Sequence, residues 1–157
     1  MNPQIRHGVL TVAAMILLAT ALTIAAQKRS DADDVKQVID TFLTTMSAAD
    51  ATRLGEMFAD DATVFYPSPP FPMHRIVGRS DIEAAWREGF AGIPNRGAAP
   101  AQQIQPKRVQ IQTYGDTAIV TFELESGPPR LGRRTFVLVR QRAGWKIAHL
   151  HASNRTD

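Results

Sequence analysis

Apolar residues in the first half of the chain recur at the spacing of a helix. From Val35 to Met46 they return every three or four positions, which predicts an amphipathic helix. Asp50 is suited to cap a second, short helix whose buried side includes Phe58 and which ends at residues 60–61. Residues 62–66 then read as a strand. This part of the chain is therefore predicted to be mainly helical.

Prolines and a capping pattern mark the next two segments. Four prolines between Tyr66 and Met73 exclude a regular helix or a central strand, so this segment is predicted to be a stiff loop. Ser80 and Glu83 have the spacing of a capping box, which indicates the start of a third helix. The apolar side of that helix is formed by Ile82, Ala85, Trp86 and Phe90.

The apolar spacing changes to two from Gln105 onward, which predicts strands. Turn residues and two Gly/Pro-rich loops, over 92–100 and 126–132, leave strands near 109–113, 117–125, 135–142 and 145–153. Helices followed by an antiparallel meander indicate an α+β fold. We expect a cone in which three N-terminal helices pack on a strongly curved, mainly antiparallel sheet, with a pocket between the two layers.

Alternation alone does not decide which face of the sheet the helices cover. One assignment places on the outer face, as a mixed surface suited to a dimer interface, Ile119, Thr121, Phe136, Leu138, Ile147 and His149. The arginines of the penultimate strand are interpreted as a solvated edge, with an anion site as the alternative; they are Arg133, Arg134, Arg140 and Arg142.

Residues 1–26 differ from the rest of the chain, because Arg6 is followed by an uncharged apolar run over 8–26 that ends in small residues. This order is typical of a secretory signal peptide. The run is also long enough for an uncleaved membrane anchor. In both cases residues 27–157 are expected to form a single domain outside the cytoplasm, periplasmic or secreted in a bacterium. Contact with a membrane is expected only through an uncleaved leader.

Composition excludes several classes of function. The chain has no cysteine, which excludes disulfides, thiolate metal sites, cysteine nucleophiles and a lipoprotein anchor. Its formal net charge of +3 falls to +2, from 17 basic and 15 acidic residues, once Arg6 leaves with the leader. No basic run with interleaved aromatic residues is present, so a nucleic acid is not an expected partner.

Three segments resemble a known superfamily. Residues 57–64 (MFADDATV) resemble the junction of helix and first strand in ketosteroid isomerases, and residues 78–82 (GRSDI) open the next helix as in that family. Residues 144–153 (GWKIAHLHAS) resemble the last strand of SnoaL-like domains and of the association domain of calcium/calmodulin-dependent kinase II. Residues 33–154 are thus similar to the nuclear transport factor 2-like, ketosteroid isomerase-like superfamily. Its members include isomerases, cyclases, dehydratases, transport factors and oligomerisation modules, so the resemblance implies a fold more than a function.

The resemblance does not carry the isomerase chemistry over. The position of the family's carboxylate base, just before a proline, is Tyr66 here, and that of its tyrosine oxyanion donor is Phe42. A phenol is a poor base at neutral pH, and Phe42 has no proton to donate. The arginines of the kinase association domain's pocket match Leu124, Val137 and Ala152, so the resemblance implies a mainly apolar cavity.

The cavity expected from this fold gives a set of candidate binding residues. They are Phe42, Tyr66, His74, Trp86, Leu124, Val137 and Leu150. Tyr66 and His74 flank the proline loop, near the expected mouth of the cavity, and are the candidates for acid/base catalysis.

Two histidines of the last strand are the remaining candidates. His149 and His151 lie two positions apart and therefore share a face of the sheet. We expect them at an interface, with an acid/base pair as the alternative reading. A zinc site would need a third ligand nearby, so neither a metal nor another cofactor is expected.

Three hypotheses for the function remain open at this point, and the sequence does not decide whether the protein is an enzyme. The first is an exported, homodimeric domain that binds a small hydrophobic molecule in a mainly apolar pocket. The second is an acid/base isomerase, cyclase or dehydratase that acts on a hydrophobic, polycyclic type of substrate. The third is a homo-oligomeric association module that works through its sheet face.

Overall fold

The structure is a computed structural model that describes residues 27, 30–93, 104–125 and 130–156. The predicted leader over 1–26 lies outside these residues, as do most of the Gly/Pro loops predicted over 92–100 and 126–132. Within the described ranges, no helix has both the length and the hydropathy needed to cross a membrane.

The described helices are α1 over residues 30–47, α2 over Ala51–Glu56 and α3 over Arg79–Ala91. The buried side of α1 is formed by the residues with helical spacing, Val35, Ile39, Phe42 and Leu43. Asp50 caps α2 as predicted, because its Oδ1 accepts the backbone N–H of Arg53 at 3.0 Å.

The start of α3 differs from the prediction. The helix is preceded by Gly78, whose φ of 92° lies in the left-handed region that favours glycine. Ser80 already lies inside the first turn, and no side chain caps this end of the helix. Glu83 accepts a hydrogen bond from the Thr52 hydroxyl of α2 at 3.1 Å instead of reaching back along its own helix. The predicted capping box is therefore wrong.

The strands form one mixed sheet. They are β1 (Phe58–Phe65), β2 (Ile76–Val77), β3 (Lys107–Tyr114), β4 (Thr117–Glu125), β5 (Arg130–Gln141) and β6 (Gly144–Thr156). Their order in the sheet is β2-β1-β6-β5-β4-β3, and β1 and β6 are parallel while the other neighbours are antiparallel. The α+β prediction is confirmed.

The first strand begins earlier than predicted. Phe58 pairs with Ile147 of β6, and the Met57 carbonyl accepts the N–H of Ile147 at 2.9 Å, so the chain is already extended at this point. Asp60 and Asp61 are exposed and lie where the β1–β6 register is irregular. They belong to the strand and do not end a helix, which corrects the predicted boundary.

The core lies between the helices and one face of the sheet, which we refer to as the inner face. The inner face presents Val64, Val120, Phe122, Phe136, Leu138, Ile147 and Leu150, and the opposite, outer face presents Thr63, Phe65, Ile119, Thr121, Val137, His149 and His151. Phe136 is fully buried, with its ring 5.0 Å from that of Phe42 on α1. Burying a side chain of this size contributes about 2–3 kcal/mol.

Three residues assigned to the outer face from the sequence lie on the inner face. Phe136 and Leu138 stand opposite Val120 and Ala118 of β4, and directly opposite residues share a face. Ile147 moves inward for a different reason. Leu138 pairs with Ile147 but Val137 pairs with His149, so Ala148 is an extra residue in β6. This bulge reverses the alternation along the strand.

Candidate functional site

A cavity of about 190 Å³ lies between the inner face, α1, α3 and the proline loop. Its lining is formed by Phe42, Leu43, Met46, Tyr66, Pro67, Phe71, Trp86, Phe90, Ile104, Phe122, Leu124, Arg134, Phe136, Leu150 and Ala152. Most of these side chains are aromatic or aliphatic. Arg134 is the charged residue among them, and it was not among the binding residues predicted from the sequence.

Most of the predicted binding residues meet at this cavity. Phe42, Tyr66, Trp86, Leu124 and Leu150 all line it. Two others do not. Val137 lies on the outer face opposite His149, because its neighbour Phe136 takes the inward position. His74 is exposed beyond the proline loop. The placement of Val137 and His74 at the cavity is therefore corrected.

An aromatic cluster forms one wall of the cavity. Tyr66 stacks on Phe71 of the proline loop, with ring centroids 5.0 Å apart, and meets Trp86 edge-on at 5.0 Å. Phe71 fits against α3 because Gly89 has no side chain, and a Cβ at that position would overlap the ring. The proline-rich segment thus delivers an aromatic side chain to the cavity, and a small residue on the facing helix makes room for it.

Tyr66 is not suited to act as a base here. Its hydroxyl donates to the Ile82 carbonyl at 3.4 Å, and burial raises its pKa well above the ordinary value of 10.0. The phenol therefore stays protonated in the physiological range. No hydrogen bond joins it to His74, which is solvent-exposed. The proposed acid/base couple of Tyr66 and His74 is not formed.

Trp86 is a second lining residue whose side chain carries a polar group. The side chain is buried, with 4% of its surface exposed, and its Nε1–H has no hydrogen-bond partner in the described parts of the chain. A buried donor without an acceptor costs about 1–3 kcal/mol of stability. Nε1 of Trp145, which does not line this cavity, is unpaired in the same way.

Arg134 is the charged residue of the cavity lining. On β5 it stands opposite Phe122 and Ala152, both on the inner face. Its Nη1 donates to the carbonyls of Arg133 and Ser153 at 2.8 and 2.9 Å. Burial lowers the pKa of Arg134 to about 10, so the group remains a cation at neutral pH.

The other inward-pointing arginine of β5 has a different environment. Arg140 pairs with Asp31 of α1 and lies over the Trp145 ring at 4.4 Å. In the described ranges Arg134 makes no ion pair with a carboxylate, although Arg140 does. The solvated edge expected for these arginines is therefore wrong for both residues. The sequence held one signal for Arg134: adjacent strand residues face opposite ways, so either Arg133 or Arg134 had to point inward.

His149 and His151 share the outer face, as their spacing predicted. The Nδ1 of His149 lies 2.7 Å from the Thr63 hydroxyl, and the Phe65 ring lies 6.2 Å from the His149 ring and 5.7 Å from the His151 ring. Burial and the neighbouring His151 lower the pKa of His149 below 6.5. The sheet separates both histidines from the cavity. No cluster of three potential metal ligands occurs among the residues that the structure covers.

The described lining of the cavity therefore offers hydrogen-bond donors and no group suited to act as a base at neutral pH. The ionisable side chains among its described lining residues are Tyr66 and Arg134, both protonated at neutral pH. General acid–base catalysis would need a carboxylate, an imidazole or a similar group within hydrogen-bond reach of a substrate proton. This arrangement can hold an acceptor-bearing molecule against an aromatic wall.

Comparison with known families agrees with the fold. A family model described as a SnoaL-like domain matches residues 35–156. Among curated proteins, no sequence matches the chain.

The chain is also similar to solved structures. An NTF2-like protein with a cystatin-like fold from Novosphingobium aromaticivorans is 19% identical, with a TM-score of 0.65 over 85% of this chain and 88% of that one. A candidate ketosteroid isomerase from Parabacteroides distasonis is 21% identical, with a TM-score of 0.59 over 77% and 85% of the two chains. A CaMKII hub from S. rosetta is 25% identical, with a TM-score of 0.62 over 79% and 96%. The superfamily resemblance drawn from the sequence is confirmed.

Proposed function

The chain belongs to the SnoaL-like domain family, and on this premise we propose that it binds a small, mainly apolar molecule in the cavity beneath α1 and α3. The observation that carries the proposal is the lining itself, in which aromatic and aliphatic side chains surround a few hydrogen-bond donors. Small-molecule sites generally combine an apolar wall with a few placed polar groups in this way.

The volume of the cavity limits the ligand. About 190 Å³ is below the range of about 300–1,000 Å³ that is usual for sites of drug-sized ligands. It is close to the engineered apolar cavity of about 150 Å³ that binds benzene. A molecule of about one ring therefore suits the cavity better than the polycyclic substrate of the enzyme alternative, and the lack of a base among the described lining residues also favours binding over catalysis.

Toluene is a suitable probe, because it is neutral and has the size of one ring. We expect it to bind the protein and to raise its melting temperature, since a ligand that binds only the folded state stabilises it. Ala152→Leu should fill part of the cavity and abolish this effect. Ser153→Leu, at the adjacent position of β6 on the other face, is the control and should leave binding unchanged. Equal toluene binding by both variants would contradict the proposal.

Oligomeric association is the second candidate function. Half-buried apolar residues of the outer face, Phe65, Ile119 and Val137, offer a contact surface, and one similar structure is a CaMKII hub. We propose that two copies of the chain pair through this face. Sedimentation should report a dimer for the wild type and a monomer for Val137→Lys, while Gln141→Lys at the exposed end of β5 remains dimeric. A monomeric wild type would exclude the pairing.

We also propose that residues 1–26 are a signal peptide and that residues 27–157 work outside the cytoplasm as one domain. The order of Arg6, apolar run and small residues supports the leader, and the family match over residues 35–156 supports the single domain. The intact mass of the protein in each cell fraction tests this. A periplasmic chain that begins after Ala21, Ala25 or Ala26 is expected, whereas a full-length chain in the membrane fraction would favour the anchor.

A further inference from the structure

We infer that the cavity recognises a small monocarboxylate, with Arg134 as the anchor of the carboxylate group. This inference rests on the proposed binding function and specifies the class of ligand. It concerns the guanidinium of Arg134, a lining residue that donates hydrogen bonds to carbonyl and amide oxygens and meets no carboxylate in the described chain.

The Arg134 guanidinium is held in a fixed position. Its Nη1 donates to two backbone carbonyls, and its Nη2 lies 3.4 Å from Oδ1 of Asn154. The group also lies over Gly132, where a Cβ would come within 3.2 Å of Nη1. These contacts leave the Nε–H and one N–H of Nη2 without an acceptor in the described chain. A guanidinium fixed in this way is ready to bind an anion without further ordering.

The charge of Arg134 also favours the binding of an anion. A guanidinium that is partly withdrawn from water gains most from a carboxylate partner, since screening is weaker there than in bulk solvent. Carbonyl and amide oxygens are its partners among the described residues, and no carboxylate of those residues lines the cavity. A ligand that brings its own carboxylate would complete this environment.

Trp86 lines the same cavity as Arg134, and its buried Nε1–H has no acceptor in the described chain. Nε1 of Trp145 is unpaired as well, although Trp145 does not line this cavity, so an unpaired indole N–H does not by itself mark a binding site. The N–H groups of Arg134 that have no acceptor can only donate. They select a ligand that carries acceptor atoms, and a carboxylate supplies several lone pairs on two oxygens.

The other lining residues limit the size and the polarity of the rest of the ligand. Phe71, Phe90 and Phe122 contribute aromatic rings, and a volume of about 190 Å³ admits about one ring or a short aliphatic chain. Benzoate and hexanoate represent these two shapes. Their amides, benzamide and hexanamide, have nearly the same size without the negative charge and serve as matched neutral probes.

The indole signals of the protein provide a direct measurement. The chain has two tryptophans, so an NMR spectrum of the 15N-labelled protein, expressed from the full chain, shows two indole N–H signals, which Trp145→Phe assigns. We expect benzoate to move the Trp86 signal and to leave that of Trp145 in place. Benzoate should also bind about tenfold more tightly than benzamide or better, as charge-assisted hydrogen bonds predict.

Two neighbouring arginines give a matched pair of variants. Arg134→Gln should reduce benzoate affinity about tenfold or more while benzamide affinity changes little. Arg133→Gln should change neither, because Arg133 is exposed. If Arg134→Gln does not fold, Arg134→Lys keeps the charge but loses the fork, and it should weaken benzoate binding without removing the preference over benzamide.

The possible outcomes separate this inference from the proposed function. Benzoate binding no tighter than benzamide binding, or an equal response of the Arg134 and Arg133 variants, would overturn the carboxylate inference. Binding of benzamide or toluene in that case would leave the cavity as a site for neutral molecules. Failure of every probe to bind would overturn both proposals.

Discussion

Residues that are neighbours along β5 and β6 face very different surroundings on the two sides of the sheet. On the inner face, Arg134 and the cavity wall offer donors that find no carboxylate in the described chain. On the outer face, His149 lies within hydrogen-bond distance of the Thr63 hydroxyl, and His151 packs near Phe65. The His149 ring has a hydrogen-bond partner within the chain, whereas the Arg134 guanidinium keeps N–H groups without an acceptor in the described residues.

This difference shows that the residues that titrate near neutral pH are not the residues that line the cavity. The histidines attract attention as titratable groups, but the sheet keeps them away from the cavity. The cavity holds Arg134 and Tyr66, which do not change charge near neutral pH. We therefore expect pH near 6 to affect the stability of the protein more than the ionisation of its binding site.

The largest difference between the faces should appear in stability. Phe136→Ala removes a fully buried ring that contacts Phe42 and Phe122, and it should lower the free energy of unfolding by about 3–5 kcal/mol. Val137→Ala, at the next position on the outer face, should cost about 1 kcal/mol or less. Urea denaturation measures both. Similar losses for the two variants would mean that the outer face is as tightly packed as the core.

A smaller effect of opposite sign is expected at Arg134. Arg134→Met removes a charge that folding partly withdraws from water, at the loss of its hydrogen bonds to Arg133, Ser153 and Asn154. The free energy of unfolding should rise by about 1 kcal/mol, because such groups are often retained at a cost to stability. Arg133→Met, from an exposed site, should stay within about 0.5 kcal/mol. A clear loss of stability in Arg134→Met would assign that residue a structural role.

The sequence was a good guide to the elements and a poor one to the faces. Helical and alternating spacings located α1 and β4, and the cap at Asp50 was read correctly. These features depend on residues close together in the chain. The face occupied by Phe136 depends on the register of β5 against β4. The face occupied by Ile147 depends on the extra residue Ala148 in β6, and no local sequence pattern predicts this bulge.

The candidate site was predicted in part for the same reason. Phe42 and Tyr66 were predicted at the cavity because the resemblance matched them to the family's pocket positions, and both line it. Trp86 was proposed from its place on the apolar side of the third helix, and it lines the cavity as well. Arg134 was missed because the sequence shows only that either Arg133 or Arg134 points inward, and the register of β5 against its neighbours decides which of them does. Because an arginine in a strand is more often exposed, its residue type favoured a solvated position for Arg134.

Tyr66→Phe tests the aromatic wall with a smaller expected effect. The substitution keeps the stacking on Phe71 and the contact with Trp86, and it removes one long hydrogen bond to the Ile82 carbonyl. The variant should fold and lose at most about 1 kcal/mol in thermal or urea denaturation. Loss of folding would show that the hydroxyl is a structural element of the core and would refute its assignment to the cavity wall.

The smallest effect concerns His149 on the outer face. Its pKa in the folded protein is lowered below the ordinary value of 6.5, first by burial and then by His151, so the folded state binds a proton less readily than the unfolded chain. The stability of the wild type should therefore be full above pH 6.5 and decrease as the pH falls through that value, until His149 is protonated in both states. His149→Gln should flatten this part of the profile of melting temperature against pH. His74→Gln, at an exposed site, should retain it, and an unchanged profile in His149→Gln would place the acid sensitivity elsewhere.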